Sequence, residues 1–96
     1  MSNDPQLVVN SFSSYQLTDK QALEGAVLTS LQKQCIQNLL AINAEEKLTL
    51  EYDVSDPNTF IQQEAYKKGA IEILQFLLDS SEAANLELNN PQRTYP

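Results

Sequence analysis

The sequence predicts an all-α protein built as an antiparallel two-helix hairpin, with helices at about 18–48 and 57–85. Three observations favour this fold. Apolar residues recur at helical spacing through both spans, neither span has a proline beyond its first residue, and each begins with a helix-capping signal. The chain has 96 residues, the length of one domain. We therefore expect a single domain over 1–96, in which an extended N-terminal arm (1–16) and a C-terminal tail (86–96) flank the hairpin (18–85).

The first predicted helix begins at Thr18 and ends near Leu48. Thr18 with Gln21 three residues later forms a capping-box pattern, and Asp19 suits the positive end of the helix dipole. Gly25 is the weakest residue of the span, costing about 1 kcal/mol relative to alanine.

Apolar residues occupy two separate arcs of this first helix when they are placed at 100° per residue. The first arc holds Val27, Leu28, Leu31, Cys35, Leu39 and Ile42, and the second holds Ala22, Ala26, Ile36, Leu40 and Ala44. A surface helix needs only one apolar stripe, so two stripes indicate a helix covered on two sides. We expect Cys35, the single cysteine, to be a small buried hydrophobe.

The second predicted helix begins at Asp56, a strong N-cap, with Pro57 in the first helical position. Its apolar residues again fall on two sides. The main stripe consists of Tyr66, Ala70, Ile73, Leu74, Leu77 and Leu78, extended by Phe60 and Ile71, and the other side holds Ile61, Ala65, Gly69 and Phe76. Between the helices, residues 48–54 alternate like a short strand, but we favour a connection because the only possible strand partner is 7–9.

The composition argues against catalysis and against cofactor binding. There is no histidine, and one cysteine with no histidine excludes a zinc site. Both glycines fall inside helices, so no glycine-rich phosphate loop is present. Glu51, Asp53 and Asp56 resemble the start of a calcium loop, but its glycine and its final glutamate are missing. We expect no enzyme activity, no metal and no cofactor.

The formal net charge of −7 bears on the choice of partner. Direct nucleic-acid binding requires clustered lysine and arginine, and anionic membrane surfaces attract the same residues, so neither is expected. No apolar run reaches membrane-spanning length, and the N-terminus has no signal-peptide pattern. Solubility alone explains the acidity, although a basic partner protein is an alternative.

Protein partners follow from the apolar residues that a lone hairpin cannot cover. A hairpin buries one side of each helix, and both helices here have apolar residues on a second side. We predict an obligate interface, through self-association or a larger assembly. The predicted interface residues are Ile61, Ala65, Gly69 and Phe76 together with Ala22, Ile36 and Leu40.

Parts of the sequence resemble small helical-hairpin proteins encoded among the structural genes of tailed bacteriophages. The segments that carry the resemblance are AEEKL at 44–48, DP at 56–57, FIQQEA at 60–65 and IEILQFLL at 71–78, within about 18–84. The resemblance implies a virion-associated or assembly role, in the bacterial host cytoplasm or in the virion, and it brings no catalytic residues.

Two functional interpretations stay open at this level. The first is a non-enzymatic structural or assembly protein of a tailed phage that acts through helix–helix packing. The alternative is a small acidic inhibitor or adaptor that binds a basic site on a host or defence protein. Small-ligand binding within an oligomer is a third possibility.

Overall fold

The computed structural model describes residues 3–13 and 16–92. In these residues the chain forms four helices and no strand: α1 (Pro5–Phe12), α2 (Asp19–Ala26), α3 (Ser30–Leu48) and α4 (Pro57–Leu88). The all-α class is confirmed. The predicted arm residues 1, 2, 14 and 15 and the end of the predicted tail, 93–96, lie outside the described residues.

The extended N-terminal arm is wrong over Pro5–Phe12, which form α1. Asp4 is the N-cap, and its side chain accepts a hydrogen bond from the Gln6 N–H at 2.7 Å, while Pro5 takes the first helical position. This is the same start signal as Asp56–Pro57. Helix α1 also buries Val8, which is fully covered, and tertiary packing of that kind outweighs a low helix propensity.

The first predicted helix starts as expected, because the Thr18–Gln21 capping box forms with bonds of 2.9 and 3.2 Å. Its continuity to 48 is wrong, since residues 27–29 separate α2 from α3. Val27 is extended, at φ −73° and ψ 126°. The next N–H, that of Leu28, donates to Ser81 Oγ at 2.8 Å. A side chain distant in sequence thus takes the backbone donor that a continuous helix would use.

The second predicted helix begins where expected, at Asp56–Pro57. The Asp56 carboxylate accepts hydrogen bonds from Thr59 N–H at 3.4 Å and Thr59 Oγ1 at 2.6 Å. Helix α4 continues to Leu88, three residues beyond the expected end, so the predicted tail is helical in its first residues. Residues 49–56 form a connection, as favoured over a strand.

The chain divides into two compact units. The first unit takes the described residues of 1–30 and 76–96, and so contains α1, α2 and the C-terminal part of α4. Alanine and valine supply five of the six buried residues of its core. The core residues are Val8, Val9, Leu23, Ala26, Ala83 and Ala84, with Phe12, Val27 and Leu88 packed against them.

Polar side chains also join the elements of the first unit. Asn3 Nδ2 donates to Ser80 Oγ at 2.8 Å and to the Phe76 carbonyl at 3.4 Å. Ser80 and Ser81 are fully buried. Ser80 accepts the bond from Asn3 and Ser81 accepts the bond from the Leu28 N–H, so neither hydroxyl oxygen is buried without a hydrogen bond. The Phe12 and Phe76 rings lie 6.0 Å apart between centroids.

The second unit, residues 31–75, contains α3 after its first residue, the connection, and residues 57–75 of α4. One polar cluster links its two helices. Lys67 Nζ on α4 donates to Asn43 Oδ1 at 3.3 Å and forms an ion pair with the Glu46 carboxylate, both on α3. In the connection, the Tyr52 ring packs edge-on against Phe60 of α4, with centroids 5.4 Å apart.

Candidate protein-interaction surface

The second unit has no core of its own. All of its residues are described, and not one of them is buried. The exposed large apolar side chains of this unit include some from each helix and from the connection. They are Leu31, Leu39, Ile42, Leu48, Tyr52, Val54, Ile61, Tyr66 and Ile73, each at least half exposed. A folded domain normally buries residues of this kind, so this surface is the candidate functional site.

Helix α3 turns one of its two apolar arcs inward and the other outward. Its partly covered side includes Ile36, Leu40 and Ala44. Its opposite side carries an exposed row, which we call the α3 stripe: Leu31, Cys35, Leu39 and Ile42. Leu31 is 73% exposed in spite of its size.

Two expectations about α3 change with this arrangement. Cys35 is an exposed free thiol and not a buried hydrophobe, because the arc that contains it faces away from α4. Ile36 and Leu40, predicted as interface residues, belong to the partly covered side. The α3 stripe was visible in the sequence as an apolar arc, but a pattern alone does not tell which of two arcs faces inward.

Helix α4 carries three of the predicted interface residues on its exposed side. Ile61, Ala65 and Gly69, which we call the α4 stripe, are all exposed, and Ile61 retains 59% of its surface. The opposite side of the helix is partly covered and includes Phe60, Lys67, Ala70, Ile71 and Leu74. These three predicted interface residues therefore share one solvent-facing row at i, i+4 and i+8.

A shallow hollow lies along the α4 stripe. It has a volume of about 290 Å³ and is lined by Ile61, Glu64, Ala65 and Lys68. There is open space next to Gly69, since a Cβ atom added there would meet nothing within 4 Å. A second hollow, of about 280 Å³, is lined by Leu50, Gln62, Gln63, Tyr66 and Lys67.

The two remaining predicted interface residues lie in the first unit and already have intramolecular contacts. Ala22 is only 1% exposed, so its methyl group presents no surface to a partner. Phe76 is partly buried and its ring packs with Phe12. The structure thus brings Ile61, Ala65 and Gly69 together and places Ala22 and Phe76 elsewhere.

The charges of the second unit are unevenly distributed. Residues 31–48 hold two lysines and two glutamates, and residues 57–75 again hold two of each, so the paired helices carry no net formal charge. The connection adds only acids: Glu51, Asp53 and Asp56. The apolar stripes therefore lie on the neutral part of an acidic chain.

The connection shows one perturbed acid. Asp53 Oδ1 accepts hydrogen bonds from Ser55 Oγ at 2.7 Å and from the Ser55 N–H at 2.9 Å. These bonds favour the carboxylate and lower the pKa of Asp53 below its ordinary 3.8, with the side-chain bond as the larger cause. Asp53 stays exposed, and over residues 3–13 and 16–92 no three metal-ligating side chains gather in one place.

Among the helices of the described residues, none is both long and apolar enough to cross a membrane. No protein-family model, curated protein or solved structure matches the chain.

Proposed function

We propose that this protein is a non-enzymatic assembly component, and that its second unit is a helical hairpin that docks on the surface of a neighbouring protein molecule. The observation that carries the proposal is the complete lack of buried residues in 31–75, next to nine large apolar side chains that are at least half exposed. The paired charges of Lys67 and Glu46 join α3 to α4 in this hairpin.

The energetics favour docking over an isolated hairpin. Most of the stability of helices in proteins comes from the packing of an apolar face and not from helix propensity, and a surface ion pair such as Lys67–Glu46 contributes only about 0–1 kcal/mol. Burial of apolar area is the main stabilising term available, at about 25 cal/mol per Å². The stripes of α3 and α4 offer that area to a neighbouring molecule.

Affinity capture of the tagged chain, followed by mass spectrometry and sedimentation, tests the proposal. We compare the wild type with a Leu39→Glu/Ile61→Glu variant, which places a charge on each stripe. The matched control is Leu7→Glu/Leu86→Glu, which changes two exposed apolar residues of the first unit, at 46% and 60% exposure. The stripe variant should lose the captured assembly while the control retains it, because a buried unpaired charge is costly.

Two outcomes contradict the proposal. In one, the stripe variant retains the same assembly as the wild type. In the other, the chain forms a soluble complex that weakens steeply with salt and is abolished by charge reversal at Glu51 and Asp53. That result favours an acidic inhibitor or adaptor instead.

On the resemblance to phage helical-hairpin proteins alone, we extend the proposal to virion assembly. In that setting the wild-type chain should co-sediment with particles, and the Leu39→Glu/Ile61→Glu variant should be absent from the particle fraction. Sedimentation of the wild type apart from particles in an infected host contradicts the extension and leaves the docking proposal in place.

A further inference from the structure

We propose that the molecule covering the α4 stripe is a second copy of this chain, packed antiparallel across a two-fold axis close to Ala65. This inference rests on the proposed docking function and names its partner. Its support comes from the spacing of the residues that line the hollow, from the charges on the flank of the stripe, and from the position of Gly69.

The residues that line the hollow have the spacing that helix packing uses. Its lining residues Ile61, Glu64, Ala65 and Lys68 are spaced i, i+3, i+4 and i+7, the four positions that form the hole for an incoming side chain. If Ala65 lies at the two-fold axis, Ile61 of one copy lies opposite Gly69 of the other, four residues away on either side. A large side chain therefore contacts a small one, and the two-fold axis repeats this contact, as in any isologous interface.

The flank of the stripe is self-complementary in charge. Glu64 and Lys68 lie on the same side of the row, both are exposed, and no ion pair joins these two described side chains. Antiparallel helices bring like flanks together, so Glu64 of each copy comes near Lys68 of the other. Parallel pairing would instead place this flank against Gln62 and Tyr66. Flanking charges of this kind set the orientation of helix pairs.

Overall charge points to the same surface. Two copies of a chain with a net charge of −7 repel one another, and they approach best where that charge is absent. The helices of the second unit carry none in sum, whereas the connection carries only acids.

Gly69 has no role within a single chain that the structure shows. Its φ is not positive and an added Cβ would meet nothing within 4 Å, yet a glycine inside a helix costs about 1 kcal/mol relative to alanine. A close neighbour outside the chain explains it. Gly25 is equally open, but exposed Gln21 and Glu24 surround it in place of an apolar row, which makes it a suitable control.

Sedimentation velocity of the purified full-length chain, over about 1–200 μM, tests the inference. The wild type should dimerise in this range. Gly69→Gln should weaken dimerisation by more than about tenfold, because its side chain fills the space for the second copy. Gly25→Gln makes the same change on a surface outside the proposed contact and should dimerise like the wild type. Circular dichroism confirms that both variants are folded.

A mixing experiment keeps the inference testable independently of Gly69. Glu64→Lys gives the flank two cations and Lys68→Glu gives it two anions, so each variant alone should dimerise more weakly than the wild type. An equimolar mixture should recover dimers in the form of heterodimers. An effect confined to one helix could not produce this recovery.

A monomeric wild type over the whole concentration range overturns the inference. So does a Gly69→Gln variant that dimerises like the wild type, equal loss in the two glycine variants, or a mixture that fails to recover. If the wild type is monomeric but the stripe variant still loses a captured assembly, the second copy is excluded and the docking function stands.

Discussion

Truncation of Leu23 to alanine should be the most damaging conservative change in the first unit. Leu23 is fully buried, and it lies in the core with Val8, Val9 and Ala83. Removing a buried leucine side chain costs about 2–5 kcal/mol, which includes roughly 24 cal/mol per Å³ of the cavity left behind. We expect about 3 kcal/mol, a large part of the roughly 5–14 kcal/mol typical of a chain this size.

Leu48→Ala is the matched control for this truncation. Leu48 is 87% exposed at the end of α3, so the same chemical change should alter the free energy of unfolding by less than about 0.5 kcal/mol. Urea unfolding followed by circular dichroism measures both differences. The protein concentration is kept low and constant, so that association does not contribute to the apparent stability.

Thermal melting gives a second measurement of the same effect. One kcal/mol corresponds to about 4–8 °C for a domain of up to 100 residues, so Leu23→Ala should lower Tm by more than about 10 °C. A Leu23→Ala variant as stable as Leu48→Ala would show that the core assigned to the first unit is wrong.

Two further predictions concern polar contacts. Ser81→Ala removes the acceptor of the Leu28 N–H and should cost about 1–3 kcal/mol in the free energy of unfolding by urea; an unchanged value would show that this bond does not hold the break between α2 and α3. The pKa of Asp53, measured by NMR titration, should lie below 3.8, and Ser55→Ala should raise it. Because the folded-state pKa is lowered, the stabilisation is present at neutral pH and lost as the pH falls through the folded-state pKa. A pKa of Asp53 that does not respond to Ser55→Ala contradicts the assigned cause.

The starts of helices could be predicted because capping is local chemistry. Thr18 with Gln21, and Asp56 with Pro57, place a side-chain acceptor beside free backbone N–H groups within three residues. Asp4 with Pro5 carries the same signal, although residues 1–16 were predicted as an extended arm because serine, asparagine and Pro5 disfavour a helix. These residues weaken an isolated helix, but the packing of α1 into the core of the first unit outweighs that preference.

The break between α2 and α3 could not be predicted from local sequence. Val27 lowers helix propensity only slightly, and no proline or positive-φ glycine marks the position. Ser81, 53 residues from Leu28, supplies the acceptor that satisfies the backbone there. Helical periodicity compares residues three or four positions apart, so it cannot reveal a contact between residues this far apart in the sequence.

The candidate surface was predictable in part. On α4, Ile61, Ala65 and Gly69 lie on the exposed side as their spacing indicated. On α3 the prediction selected Ile36 and Leu40, while the stripe that is exposed is the more apolar arc. Both arcs have helical spacing, and only the position of the neighbouring helix distinguishes them.

By itself, the sequence determined the helical class, the capped starts of α2 and α4, and the surplus of apolar residues over what two helices can bury. These properties depend on residues one to four positions apart, so they can be recognised from the sequence pattern. Tertiary structure alone decided that α1 is a helix, that residues 27–29 interrupt the first predicted helix, and which stripes face outward. Those outcomes depend on contacts between residues far apart in the chain, such as Leu28 with Ser81, whose energies exceed local preferences of a few tenths of a kcal/mol.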